Sequence, residues 1–265
     1  MTTRAALYRA LLARDRRLAI AVSGGVDSML LAHVSQEVLG ARARMVHAIS
    51  PAVPTAATER VRRHARRGGW RLDLVDAGEF DDPRYRANPV DRCYFCKANL
   101  YRTIAELADG PIASGTNRDD LADFRPGLEA AHERGVVHPY VEAGLGKRDI
   151  YALAREMGLD DLAALPAQPC LASRVETGLP VAPDDLAFVE RVEQWLHARL
   201  GPGAVLRCRI GHQGVVLELA ETLAEGLEAE AAITEVARRC QTANRRFLGL
   251  RPYRRGAAFL RGAGA

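Results

Sequence analysis

Through its first half the chain alternates short apolar runs with stretches whose apolar residues recur at helical spacing, the pattern of a parallel sheet with crossover helices. Leu18 to Val22, Arg44 to Ile49, Leu72 to Val75 and Pro111 to Ser114 read as strands. Between them Ser28 to Leu39, Thr55 to Arg67 and Lys97 to Ala108 read as helices, and Lys147 to Met157 reads as a later helix closed by Gly158. The pattern changes after the turn signals Gly178-Leu179-Pro180 and Ala182-Pro183. There a helix (Asp184 to Leu200), two strands (Ala204 to Ile210 and Gly214 to Leu219), a helix (Glu221 to Arg239) and a last strand near Phe247 suggest a small α+β domain. The expected architecture is α/β: a doubly wound parallel sheet over residues 1–178, then a smaller α+β domain over 179–265. In such sheets ligands sit beyond the carboxyl ends of the strands.

With 265 residues and 48% hydrophobic content the chain can bury a substantial core. No apolar run approaches the roughly 18 to 20 residues of a membrane helix, and residues 1–17 carry scattered arginines without a signal-peptide core, so the expected location is the cytoplasm. The net charge of +4 suits an anionic ligand but falls short of a nucleic-acid footprint. Lysine occurs only at Lys97 and Lys147, and every other basic residue is arginine. The five cysteines, Cys93, Cys96, Cys170, Cys208 and Cys240, are odd in number and argue against a disulfide framework.

The first expected strand runs directly into Ser23-Gly24-Gly25-Val26-Asp27-Ser28, and a helix follows at once. Paired glycines let the backbone curl with its N–H groups inward, and the helix N-terminus adds partial positive charge, which together make an anion cradle. The loop lacks the Lys-Ser/Thr ending of a Walker A loop and the spacing of a dinucleotide fingerprint, which weakens kinase, GTPase and dehydrogenase readings. A plain Gly-Gly turn is the bland alternative. The motif resembles the pyrophosphate loop of the ATP pyrophosphatases. That resemblance implies cleavage between the α and β phosphates, transfer of AMP to a substrate oxygen, and a magnesium ion held by Asp27. Without it, Asp27 is a helix N-terminal carboxylate favoured by the macrodipole.

Arg92-Cys93-Tyr94-Phe95-Cys96-Lys97 places a CxxC at the start of a helix, where the dipole and the adjacent cations favour thiolates. Alone it fits half a zinc site, a redox pair or a coincidence in a core. Pro169-Cys170-Leu171-Ala172-Ser173-Arg174 adds a third cysteine between a proline turn and a Ser-Arg pair suited to a phosphate. Three thiolates can hold three irons of a cubane cluster and leave the fourth open. Cys208 and Cys240 read as core or bystander thiols.

Asp82-Pro83-Arg84-Tyr85, Asn88-Pro89, Arg92 to Lys97, Gly115-Thr116-Asn117, Asp119-Asp120, Asp123, Arg125-Pro126-Gly127 and Pro169 to Arg174 follow one another in the order seen in the LarE family, which the chain resembles over nearly its whole length. Those are ATP-dependent sulfur transferases of the ATP pyrophosphatase superfamily. The resemblance implies adenylation of a pyridinium dicarboxylate mononucleotide and conversion of carboxyl to thiocarboxyl in nickel-pincer nucleotide biosynthesis. It implies a nucleotide site of Ser23, Gly24, Gly25, Asp27, Ser28, Asn117 and Arg125, and catalytic roles for Cys170, Asp27 and Lys97. Ser173, Arg174, Arg207, Arg209, Glu218 and Arg254 would bind the substrate's phosphate and carboxylate. ATP, magnesium and, because Cys93, Cys96 and Cys170 are all present, a [4Fe-4S] cluster are the implied cofactors, with a small-molecule nucleotide as substrate and a homo-oligomer as assembly. Lys147 reads as an ordinary helix opener. Two segments depart from the family pattern: Leu165-Pro166-Ala167-Gln168-Pro169 lacks a Lys or Asp before the third cysteine, and Phe247 to Arg254 lacks an acidic residue before Tyr253-Arg254. The rival readings are a tRNA thiolase of the same superfamily and a nucleotide or cluster sensor without turnover.

Overall fold

Four short apolar segments pair as a parallel sheet: β1 (Leu18–Ala21), β2 (Ala43–Ala48), β3 (Leu72–Val75) and β4 (Ile112–Ala113), in the order β3-β2-β1-β4. The coordinates are a computed structural model that describes residues 2–13, 17–122, 126–201, 203–223 and 227–254. Every residue of β1 is buried, as expected of a central strand in a parallel sheet. Its side chains divide by the two-residue period of a strand. Leu18 and Ile20 join a cluster with Met29, Leu30 and Leu31, Val61, and Ile150 and Leu153. Ala19 and Ala21 join another with Val46, Tyr101, Ile104 and Ala131.

Helix α1 (Thr3–Leu12) precedes the sheet, and Thr2 caps it by accepting the Ala5 N–H. Helix α2 (Val26–Leu39) follows β1 and α3 (Thr55–Gly68) follows β2. After β3 come the short α4 (Pro83–Arg86) and α5 (Arg92–Leu107), which begins five residues before the expected Lys97 and so takes the whole CxxC into its first turns. After β4 come α6 (Pro126–Glu133), α7 (Pro139–Glu142), α8 (Lys147–Glu156) and α9 (Asp160–Ala163).

The later part of the chain holds α10 (Pro183–Leu200), β5 (Leu206–Gly211), β6 (Gly214–Leu219), α11 (Leu227–Thr242) and β7 (Phe247–Pro252). Strands β5 and β6 form an antiparallel hairpin, and α11 carries the chain back so that β7 pairs parallel to β6. The expected helix from Glu221 is instead a 3-10 turn (Glu221–Leu223) followed by α11. Cys208 and Cys240 are fully buried core thiols.

Contacts divide the chain into two compact units, Met1–Tyr85 with Asp91–Gln168, and Arg86–Val90 with Pro169–Ala265. The short excursion at Arg86–Val90 belongs to the second unit through backbone bonds: Val181 N–H donates to Arg86 C=O (2.8 Å) and Gly178 N–H to Asn88 C=O (2.9 Å). The Asn88 side chain, with its backbone at φ 55°, completes the join by donating to Glu176 C=O at 2.8 Å. Among the described residues no helix is long and apolar enough to cross a membrane.

Candidate nucleotide site and cysteine-bearing segment

The loop from β1 to α2 owes its shape to a close approach. Gly24 sits at φ +86°, and a Cβ there would lie 2.9 Å from the Ala57 Cβ and 3.0 Å from the Ala57 carbonyl oxygen at the start of α3. Only glycine meets both demands. The loop's serines hold it closed. Ser28 Oγ accepts the Ser23 N–H at 3.0 Å, lies 3.0 Å from Ser23 Oγ and donates to Gly25 C=O at 3.1 Å. The buried Arg60 of α3 donates to Gly24 C=O at 2.6 Å and to Gln168 Oε1 at 3.2 Å, and burial draws its pKa down. With the carbonyls engaged, the first-turn N–H groups of α2, which have no partner inside a helix, face the position where an anion gains most.

Asp27, in that first turn, accepts two bonds from Lys147 Nζ, at 2.8 Å to Oδ1 and 2.5 Å to Oδ2. Burial raises the Asp27 pKa, and the Lys147 charge opposes the rise. The residue's backbone carbonyl is held by the fully buried Tyr140 hydroxyl at 2.9 Å. Gly115, beyond β4, packs so tightly on α2 that a Cβ would lie 2.8 Å from the Ser28 nitrogen. From there the buried Asn117 turns the chain: its N–H and Nδ2 donate to Asp120 Oδ2 at 3.0 and 2.9 Å, and its Oδ1 accepts the Asp119 N–H at 3.0 Å. Asp119 in turn accepts the Lys147 N–H at 2.7 Å. The ends of β1 and β4 and the starts of α2 and α8 therefore meet at one place, and Ser23, Gly24, Gly25, Asp27, Ser28 and Asn117 are brought together there. Arg125 lies outside the described residues.

Lys147 opens α8 as expected, and its side chain adds a pair with Asp27 that the sequence does not reveal. Its separation from Asp27 along the chain hides the pair, and the one available cue was its rarity beside so many arginines. The pair also bears on magnesium, since an ion on Asp27 would have to displace Lys147. Among the described residues no group of three or more His, Cys, Asp or Glu is placed to hold a metal ion.

Cys93 and Cys96 are half-buried on α5 in the first unit, and Cys170 is exposed in the second. Lys97, next to the CxxC, is half-buried with its Nζ 5.9 Å from the Tyr101 ring centroid. Cys170 precedes a 3-10 turn (Leu171–Arg174) fixed from within the second unit. Ser173 Oγ donates to Cys170 C=O at 2.8 Å, and Arg174 Nη1 donates to Pro169 C=O (2.8 Å), Cys170 C=O (3.2 Å) and Ser173 Oγ (3.1 Å). The rest of the Arg174 guanidinium forms a bidentate pair with Glu193 of α10 at 3.1 and 2.9 Å, both side chains less than a tenth exposed.

A second carboxylate organises Arg209 and Arg251. Glu218 on β6 is 1% exposed and accepts Arg209 Nε at 2.6 Å and Arg251 Nε at 2.9 Å. Arg209 also donates to Ser173 C=O at 3.0 Å, which ties β5 to the cysteine turn. Arg207 lies over the Tyr253 ring, 5.5 Å from its centroid, and burial lowers its pKa, assisted by the neighbouring Arg174. Arg254 is exposed. Ser173, Arg174, Arg209 and Glu218 thus share one network, to which the structure adds Glu193 and Arg251, both absent from the sequence reading. Glu193 had a cue: it is a carboxylate within the stripe Leu186, Val189, Val192 and Leu196.

No family model matches the chain. An uncharacterized protein of Synechocystis sp. is 41% identical over 191 residues, covering 71% of this chain and 70% of that protein. An uncharacterized protein of Methanocaldococcus jannaschii is 26% identical over 187 residues, 69% of this chain and 70% of that one. The pyridinium-3,5-bisthiocarboxylic acid mononucleotide synthase of Lactiplantibacillus plantarum is 27% identical over 226 residues, 83% of this chain and 81% of the synthase. The chain belongs to one family with the Synechocystis protein, and its likeness over most of its length to the bisthiocarboxylic acid synthase supports the LarE family as that family.

Proposed function

We propose that this protein is an ATP-dependent sulfur transferase that adenylates a carboxylate of a pyridinium dicarboxylate mononucleotide and converts it to a thiocarboxylate for nickel-pincer nucleotide biosynthesis. The observation that carries the reading is the glycine-shaped anion loop at the end of β1 with a lysine at its head, in a chain that also presents an exposed cysteine on an arginine-braced turn. The division of helices between two core clusters supports a doubly wound sheet, with the nucleotide at the carboxyl ends of its strands.

In the first step a substrate carboxylate oxygen attacks the α-phosphorus of ATP, the bond to the bridging oxygen breaks, and pyrophosphate leaves onto the loop of Ser23 to Ser28. Asn117 and Arg125 would line the nucleotide pocket. Magnesium brought with ATP would neutralise the departing pyrophosphate, and Asp27 would meet it. In the second step the Cys170 thiolate attacks the activated carbonyl carbon and AMP leaves with the former carboxylate oxygen. Loss of the Cys170 α-proton to a base then expels the thiocarboxylate by cleavage of the Cβ–Sγ bond and leaves dehydroalanine. Cys93, Cys96 and Lys97 stand together on α5. Cys93, Cys96 and Cys170 would hold the iron-sulfur cluster, whose open iron would carry a sulfide, and no step is routed through it. Arg207, Arg209 and Arg254 would serve the substrate's phosphate and carboxylate, with Arg174, Ser173 and Glu218 bracing them, and residues 179–265 would supply the substrate face and the oligomer contact.

The test is pyrophosphate release from ATP under anaerobic conditions. Release should depend on the pyridinium dicarboxylate mononucleotide, and its absence would sink the enzyme reading. Cys170→Ala should abolish thiocarboxylate formation and keep pyrophosphate release within about twofold, whereas equal loss of both would contradict the division of roles. Mass spectrometry after turnover should find Cys170 lighter by about one sulfur mass; unchanged mass with product formed would point to a renewable sulfur carrier.

A further inference from the structure

The ion pair between Asp27 and Lys147 is not required for either helix to begin. Helix α8 has its own cap, Gly146 N–H donating to Asp149 Oδ2 at 3.0 Å, and α2 starts from Gly25, whose carbonyl accepts the Met29 N–H at 3.0 Å. Both side chains retain solvent access, 38% for Lys147 and 26% for Asp27, so the pair adds little to stability. Its backbone, by contrast, is fixed firmly. Asp119 holds the Lys147 N–H, and Tyr140 holds the Asp27 carbonyl. A flexible four-carbon stem on an anchored backbone places a compact charge within a short swing of the α2 N-terminus. A further cation at the loop, Arg60, is buried and donates to Gly24 C=O.

We infer that Lys147 is the cation that receives the pyrophosphate end of the nucleotide, and that Asp27 holds it at the loop as a replaceable counter-ion until the anion arrives. This rests on the reading of the loop as a phosphate site. On binding, the ammonium exchanges one oxygen anion for another, and the released carboxylate becomes free for a cation carried by the nucleotide. Asp27 thereby opposes pyrophosphate when the site is empty and no divalent metal is present.

Calorimetric titration of the full-length protein with pyrophosphate, in the presence of a chelator, tests this without turnover. Lys147→Met and Lys147→Gln should each weaken binding about tenfold or more, the worth of a charge-assisted hydrogen bond. Asp27→Asn should tighten it, and that gain should shrink to within about twofold in the Lys147→Met background. If the Lys147 variants are folded by thermal melting and bind like wild type, or if the Asp27→Asn gain persists undiminished without Lys147, the inference is overturned while the phosphate loop stands. If wild type itself binds no pyrophosphate and no ATP, the loop reading fails and the inference with it.

Discussion

A single missing carbon at Gly24 decides whether the anion loop can close. The backbone there is left-handed, and the start of α3 occupies the space that a side chain would need. Gly24→Ala therefore combines a backbone penalty with a clash, and should destabilise the protein by about 1–3 kcal/mol. Urea unfolding checks the stability, and pyrophosphate titration should find binding lost beyond that cost, since the N–H groups no longer converge. A variant as stable as wild type with unchanged binding would refute the loop's dependence on that approach. The residue scale is also where sequence was least sufficient. Ser23, Gly24, Gly25, Asp27 and Ser28 lie in one contiguous motif and could be read together. Lys147, Glu193 and Arg251 meet their partners across long stretches of chain, and a carboxylate's choice of guanidinium follows from the turn of a helix or the register of a sheet.

At the level of elements the hydrophobic period was a good guide: β3 and β6 have the expected ends, and α2, α3 and α8 begin or end within two residues of theirs. Buried strands announce themselves as apolar runs because both faces exclude water. The parallel pairing of β7 with β6 was not readable, because pairing partners are chosen by the path of α11. Nor was the bond chain joining α2, α3 and α9, in which His33 Nε2 lies 2.8 Å from His64 Nδ1 and His64 Nε2 lies 2.9 Å from Asp161 Oδ2. An ionised Asp161 only accepts, so His64 donates to it through Nε2–H and accepts at Nδ1 from His33 Nε2–H. Burial, and then repulsion from His64 in its protonated form, lower the His33 pKa from 6.5 to about 4, with Arg67 acting in the same sense and Asp161 opposing. As pH falls below 6.5 the unfolded chain takes up a proton that the folded chain refuses, so stability is lost down to about pH 4. The loss is on the order of 1–3 kcal/mol. Urea midpoints at several pH values should fall more steeply with acid for wild type than for His33→Gln; equal slopes would remove His33 from the account.

Across the whole molecule the candidate chemistry is divided between two compact units. The anion loop, Asn117 and Lys147 lie in the first, and Cys170 with the network of Arg174, Arg209 and Glu218 lies in the second. A ligand that binds only the folded form stabilises it by about 2.7 kcal/mol at a hundred times its Kd, and the gain is felt by whatever unfolds when the site opens. Amide hydrogen exchange resolves where that gain is located, because parts of a protein open in separate cooperative steps. Pyrophosphate should therefore slow exchange in α2, β4, α7 and the start of α8, with the largest effect at 22–30 and 144–149. The hairpin of β5 and β6 should stay unchanged, because its hydrogen bonds and its buried Glu218 are satisfied by partners within the second unit. The substrate mononucleotide should give the reverse map, protecting 169–175 and 206–219, where an exposed thiol and the arginine pairs stand close in the fold. If pyrophosphate instead protected the hairpin as strongly as the loop, the anion would be bound by the arginine network, and the assignment of phosphate chemistry to the first unit would have to be exchanged with that of the second.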